Sequence, residues 1–152
     1  MNTPEADFQD LALAALRASG AKVQKFHDEV GIGIPDVFAG WSGGGMWLEL
    51  KWKTFPVRPS TPLRPHFRGP QRKWLSDFDK RPLPTAALVG TPEGWIVVPT
   101  ACIDRILLTG PSSEVRELLS HGKVTPEALL ESYVRVSKHG RAGAGDSSAV
   151  KK

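Results

Sequence analysis

The sequence predicts an α/β fold in which a β-sheet lies buried beneath helices. Three observations lead there: an N-terminal stretch with apolar residues at helical spacing, the strictly alternating segment MWLELKWK at 46–53, and the short apolar runs TAALVG and WIVVP separated by TPEG. A chain of 152 residues with 40% hydrophobic and 24% charged residues has the composition of an ordinary globular protein. The predicted organisation is a single domain over 1–137 followed by a disordered basic tail over 138–152, where glycine, alanine, serine and lysine dominate.

Thr3, Pro4 and Glu5 form a helix start: a capping hydroxyl, a proline suited to the first turn, and a carboxylate that complements the dipole. The helix is expected to run to about Ala18, with Gly20 ending it and Phe8, Leu11, Ala12, Ala15 and Leu16 as its buried stripe. At 100° per residue Glu5 falls in line with Phe8, Ala12 and Leu16, so it is expected to face inward, whereas Asp7 and Asp10 project outward. Residues 22–27 read as a short strand or irregular lead-in, and GIGIPDVFAG as a glycine-punctuated entry to a strand near 34–40. SGGG at 42–45 is a turn. The segment that follows places Met46, Leu48, Leu50 and Trp52 on one face and Trp47, Glu49, Lys51 and Lys53 on the other.

Residues 54–69 carry Pro56, Pro59, Pro62 and Pro65 among Arg58, Arg64, His66 and Arg68, which makes a stiffened, basic and long loop. Pro70 opens a helix to about Asp79 whose inner stripe is Trp74, Leu75 and Phe78, with Gln71 on the same stripe. The runs at 85–90 and 95–99 are expected to pair as a hairpin and extend the sheet. Helical patterns follow at about 100–108, 112–120 and 126–136, the last opened by Thr125, Pro126 and Glu127.

A net charge of +4 favours a polyanionic partner without demonstrating one. Cys102 is the single cysteine, so no intrachain disulfide framework exists, and no zinc-type Cys/His spacing occurs; a reducing cytoplasm is the expected compartment, the host's if the chain is phage-encoded. The run LALAALRASGA is preceded by Glu5, Asp7 and Asp10 where a signal peptide requires basic residues. No apolar run approaches the roughly 20 residues of a membrane helix.

Chemistry concentrates at the first hairpin. A turn between Ser42 and Gly43 pairs Asp36 with Glu49, and one between Gly43 and Gly44 pairs it with Lys51; either register gathers three ionisable groups on one face, whereas a three-residue turn or a bulge would alter the pairing. Two adjacent carboxylates suit Mg²⁺ or Mn²⁺. Such an ion activates water and neutralises phosphoryl charge, while a lysine on the same face stabilises the transition state. An ExK triplet alone is also the common pattern of a strand's wet face. Pro35-Asp36, then a glycine turn, then Glu49-Leu50-Lys51 resembles the PD-(D/E)XK nuclease signature. GIGIPD, an acid in the first helix (Glu5) and a glutamine opening the later helix (Gln71) resemble the VRR-NUC branch, over roughly residues 5–98. Related small members include Holliday junction resolvases of phage and archaeal type.

The resemblance implies a restriction-endonuclease-like core, a mixed central sheet flanked by helices, with additional helices at the C-terminus of this chain. It implies Asp36, Glu49 and the Leu50 carbonyl as ligands of Mg²⁺ or Mn²⁺, Lys51 as the catalytic lysine, Glu5 as an outer metal-site acid, and Gln71 as a residue orienting the lysine or a phosphate. The expected function is metal-dependent endonucleolytic hydrolysis of DNA, at branched structures such as a Holliday junction, by a homodimer where two strands are cut. The rivals are a sequence-specific or nicking nuclease and a non-catalytic DNA-binding module. Lys53, Arg58, Arg64, Arg68, Arg72 and Lys73 are the expected nucleic-acid contacts, since they flank the path between the catalytic strand and the Gln71 helix. Trp41, Trp47 and Trp52 are read as packing residues rather than stacking platforms. His27, His66, His121 and His139 are read as structural or surface residues, and Cys102 as a small buried one.

Overall fold

The computed structural model describes residues 3–26, 33–79 and 83–150, the side chains of 140–150 excepted. His27 and the start of the GIGIPD lead-in fall outside the described residues. Helix α1 (Pro4–Ala18) starts where Thr3 Oγ1 accepts from the Ala6 amide at 3.1 Å. Five strands follow: β1 (Lys22–Lys25), β2 (Val37–Trp41), β3 (Gly44–Trp52), β4 (Thr85–Thr91) and β5 (Gly94–Pro99). They form one sheet in the order β1-β2-β3-β4-β5, antiparallel except for the parallel pair β3–β4. The mixed sheet flanked by helices is thus as expected, and the C-terminal hairpin extends the first one.

Between β3 and β4 the chain passes through the proline-rich loop and α2 (Gly69–Phe78). After β5 comes a 3-10 turn, Thr100–Cys102, that continues as a π-helical segment, Ile103–Leu108, then α3 (Ser112–Leu118) and α4 (Pro126–Val150). Helix α4 is assigned to Val150, into the stretch that composition marks as a tail. Glycine raises the free energy of a helix by roughly 1 kcal/mol per residue without forbidding it, and no proline interrupts the stretch after Pro126.

Alternation along the strands divides the core in two. One face, with Met46, Leu48, Leu50, Ala86, Leu88 and Val97, packs against Ala12, Leu13 and Leu16 of α1 and Leu129 of α4. The other, with Ala87, Val89, Ile96 and Val98, packs against Leu63 of the loop, Leu75 of α2 and Ile103, Ile106 and Leu107. The proline-rich stretch is largely exposed but anchored, with Leu63 and Pro65 buried. Ser112 N and Ser113 N donate to the carbonyls of Thr61 and Pro59 at 3.0 and 3.1 Å, and Arg64 N donates to Leu107 O at 2.8 Å. Cys102 is half-buried at the edge of this second core, less enclosed than expected.

Candidate active site

The two-residue turn Ser42–Gly43 decides the register. Gly43 has φ +87, a conformation a residue with a Cβ rarely adopts. Trp41 pairs with Gly44, and Val37 with Leu48. One further step sets Asp36 opposite Glu49, the first of the two registers the sequence allows. The side chains then replace the ladder: Asp36 N donates to Glu49 Oε1 at 3.2 Å, and Leu50 N donates to Asp36 Oδ2 at 2.9 Å. The two carboxylates are locked side by side where β2 begins.

Glu49 is buried at 1% relative exposure. Burial, reinforced by the charge of Asp36 and opposed by Lys51, pushes its carboxyl up to about 7. Lys51 Nζ lies 3.3 Å from Glu49 Oε2 and donates to Gln71 Oε1 at 3.3 Å. Gln71 Nε2 donates to Glu49 Oε2. Gln71 Oε1 also accepts from the Arg68 amide at 2.9 Å, so one amide closes the start of α2 and joins acid to lysine. The expected burial of Gln71 holds, and its contact is to both members of the pair.

What places Gln71 there is Gly33. Its φ is +90, and a Cβ on it would lie 2.0 Å from Pro70 O and 2.7 Å from Gln71 N. The lead-in to Asp36 is thus pressed directly on the first turn of α2. Phe67 carries Lys51 Nζ over its ring at 5.1 Å. It was not among the residues singled out from the sequence, because nothing periodic marks a side chain inside a proline-rich loop.

The other expected site residues separate. Glu5 is exposed on the first turn of α1, so its expected inward placement does not hold. Phe8 is the residue that meets the sheet, against Trp52 with centroids 5.9 Å apart and over Gly90. Helix α1 covers the face opposite to Glu49 and Lys51. Lys53 is exposed just past β3. Arg58 and Arg68 are exposed on the loop, Arg72 pairs with Asp104 at 2.8 Å, and Lys73 pairs with Asp77 along α2 at 3.1 Å. Trp47 packs with Phe38 and Trp74 at 4.9 and 5.1 Å beside the carboxylates.

No family model matches the chain, and no curated protein does. Among solved structures, the Holliday junction resolvase Hjc of Archaeoglobus fulgidus, an archaeal hyperthermophile, is similar at a TM-score of 0.47 and 19% identity, over 65% of this chain and 75% of that one. A likeness of that size carries no weight in assigning the site.

The donor set can be tested on its own chemistry. Among the described residues no three His, Cys, Asp or Glu side chains cluster. The protein offers two hard carboxylates and neighbouring backbone carbonyls, with water left to complete a shell. That fits Mg²⁺ or Mn²⁺, which keep several waters, better than zinc, which prefers nitrogen and sulfur. The raised Glu49 is compatible with this: burial first, and the charge of Asp36 second, disfavour its carboxylate, and a cation between the two acids would offset both. No helix among the described residues is long and apolar enough to cross a membrane.

Proposed function

We propose that this chain is a divalent-metal-dependent nuclease that hydrolyses phosphodiester bonds in DNA, with Asp36, Glu49 and Lys51 as its reacting constellation. The observation that supports this most is the interlocked Asp36–Glu49 pair with Lys51 Nζ held at 3.3 Å by Glu49 and by Gln71. A purely structural ion pair needs one carboxylate; a second one beside it, at the cost of a raised acid, makes sense where a cation is to be held.

Asp36, Glu49 and the Leu50 carbonyl would hold Mg²⁺ or Mn²⁺. Such an ion, when bound, neutralises charge on the phosphoryl group and makes water a stronger acid. Lys51 would donate to a phosphate oxygen as charge accumulates, or orient the attacking water. Gln71 keeps the lysine aimed and satisfies the Glu49 oxygen facing away from Asp36. Phe67 limits water on the far side of the ammonium. Glu5 has no part in this account, since it is exposed and on a helix covering the other face.

Branched DNA is the substrate class that the sequence resemblance implies, and cleavage of both strands would call for a homodimer. The deciding experiment is Mg²⁺- or Mn²⁺-dependent cleavage of a four-way junction, a flap, a single strand and a linear duplex, wild type beside Lys51→Ala. The expected outcome is cutting by the wild type, lost in the variant. Absence of cleavage on every member with either ion would replace the nuclease reading by that of a DNA-binding module.

A further inference from the structure

At Phe67, the ring beneath Lys51 Nζ, the loop, α2 and the π-helical segment form an open concavity of about 400 Å³ lined by Arg64, Pro65, His66, Phe67, Arg72 and Leu108. We propose that this pocket is a phosphate-binding site. It takes a backbone phosphate of the same strand whose neighbouring phosphodiester lies at Asp36, Glu49 and Lys51, and so fixes how the strand runs through the site. The inference rests on the nuclease reading for the identity of that second site, but the pocket's chemistry stands on its own residues.

Three observations carry it. First, Arg64, His66 and Arg72 converge on one concavity, and the acid near them, Asp104, holds Arg72 Nη2 at 2.8 Å. One carboxylate against two guanidiniums leaves the pocket cationic, and the pair fixes the direction of the Arg72 fork. Secondly, Arg64 is, among the described residues, the one non-glycine with positive φ, at +52. It is held there by two contacts to the second core's helical segment: its amide donates to Leu107 O at 2.8 Å and its Nε to Leu108 O at 3.2 Å. A left-handed arginine is unfavourable unless its surroundings over-determine it. Here they pin the backbone and Nε, and the terminal Nη groups carry no hydrogen bond to the described residues. That is a preformed fork for a bidentate phosphate contact. Thirdly, Phe67 belongs to both sites, as a wall of this pocket and as the ring beneath Lys51 Nζ. Arg72 likewise follows Gln71, which bonds Glu49 and Lys51. Pro65 and Leu108 supply apolar wall against which a sugar can rest.

The loop's other arginines are thereby distinguished from this pair: Arg58 and Arg68 do not line the pocket. His66, read from the sequence as a structural or surface residue, becomes a hydrogen-bond donor to the phosphate.

The test uses Arg64→Gly, which suits the positive φ while deleting the guanidinium, and His66→Ala, which lies on exposed loop. Binding of a fluorescein-labelled duplex is measured by anisotropy without added divalent ion over a series of salt concentrations. Each variant is expected to bind about tenfold more weakly and Arg64→Gly to lower the salt slope by about 0.9. A duplex carrying one neutral methylphosphonate linkage, moved stepwise along the strand, should contain a position at which wild type and Arg64→Gly no longer differ. If the effect appears only with a 5′-phosphorylated strand, the pocket holds a terminal phosphate; if it persists with a 5′-hydroxyl, it holds an internal one. Wild-type affinity and slope in both variants would overturn the pocket, even if Lys51→Ala has lost cleavage. The reverse result, a slope change in Arg64→Gly with no cleavage by the wild type, keeps the pocket and removes the nuclease.

Discussion

Lys51 makes contacts with three partners whose geometry is set by other residues: Glu49, Gln71 and Phe67. Its replacement by alanine removes a donor and leaves the Glu49–Gln71 bond in place, so the fold is expected to survive. We expect Lys51→Ala to lower the single-turnover cleavage rate by about 10²- to 10³-fold, the scale of losing one electrostatic stabiliser of a transition state, with the far-UV circular dichroism of the folded protein retained. Glu49 makes a different prediction. Its carboxyl titrates in the usual range when unfolded and at about 7 when folded. The folded chain therefore holds a proton that the unfolded one has released, and the associated stability is present below the usual range and lost as pH rises through about 7. Thermal unfolding of the metal-free protein should show that loss, and Glu49→Gln should lack this component. Divalent-ion affinity, measured by calorimetry, should strengthen across the same interval as the competing proton leaves; a pH-independent affinity would contradict the assignment.

Elements meet at a small number of close contacts. Gly33 lets the strand entry lie on the first turn of α2, and neither a Cβ nor a left-handed φ is tolerated there by any other residue. Gly33→Ala is expected to cost roughly 2–5 kcal/mol, overpacking and left-handed strain together. It should also reduce cleavage in the molecules that remain folded, because Gln71 is what it displaces. A denaturation midpoint equal to that of wild type would show that this contact is not tight. On the opposite edge, the C-terminal helices close β5. Trp95 and Ser120 exchange amide–carbonyl bonds of 2.8 and 2.7 Å, and Val97 N donates to the buried Ser132 Oγ at 2.8 Å. Arg135 ties the arrangement together through Leu118 O and Ser120 Oγ. Edge strands left open invite pairing with another chain, so α4 both packs on the sheet and covers its border. Ser132→Ala orphans the Val97 amide and should lower stability by about 1–3 kcal/mol in chemical denaturation, with little effect on catalysis since Ser132 meets the edge strand β5 and makes no contact with Asp36, Glu49 or Lys51.

For the whole molecule, a bound ion is linked to folding. A cation that binds only the folded pair Asp36–Glu49 stabilises the chain by mass action, about 2.7 kcal/mol at a concentration one hundred times its dissociation constant. Mn²⁺ should raise the melting temperature of wild type and leave that of Asp36→Asn unmoved, by calorimetric scanning with and without EDTA. Equal shifts in both would place the ion elsewhere.

The division between what could be read and what could not follows from the range of the forces. Alternation at 46–53 puts Glu49 and Lys51 on one face because side-chain direction in a strand is local, and the commonest turn lengths between Asp36 and Glu49 give two registers, with a longer turn or bulge left open. The helix with Gln71 on its inner stripe was legible for the same reason. Choosing Asp36 opposite Glu49 needed the turn geometry at Gly43. The join of Gln71 to both Glu49 and Lys51, Phe67 under the lysine, and the convergence of Arg64, His66 and Arg72 needed the path of a loop whose prolines carry no period. The helical wheel places Glu5 on the inward line of α1, yet the packing of α1 leaves it exposed while Phe8, on the same line, meets Trp52. Local periodicity determines which way a side chain points from its own element; what stands at the end of it is set by packing between segments far apart in the chain.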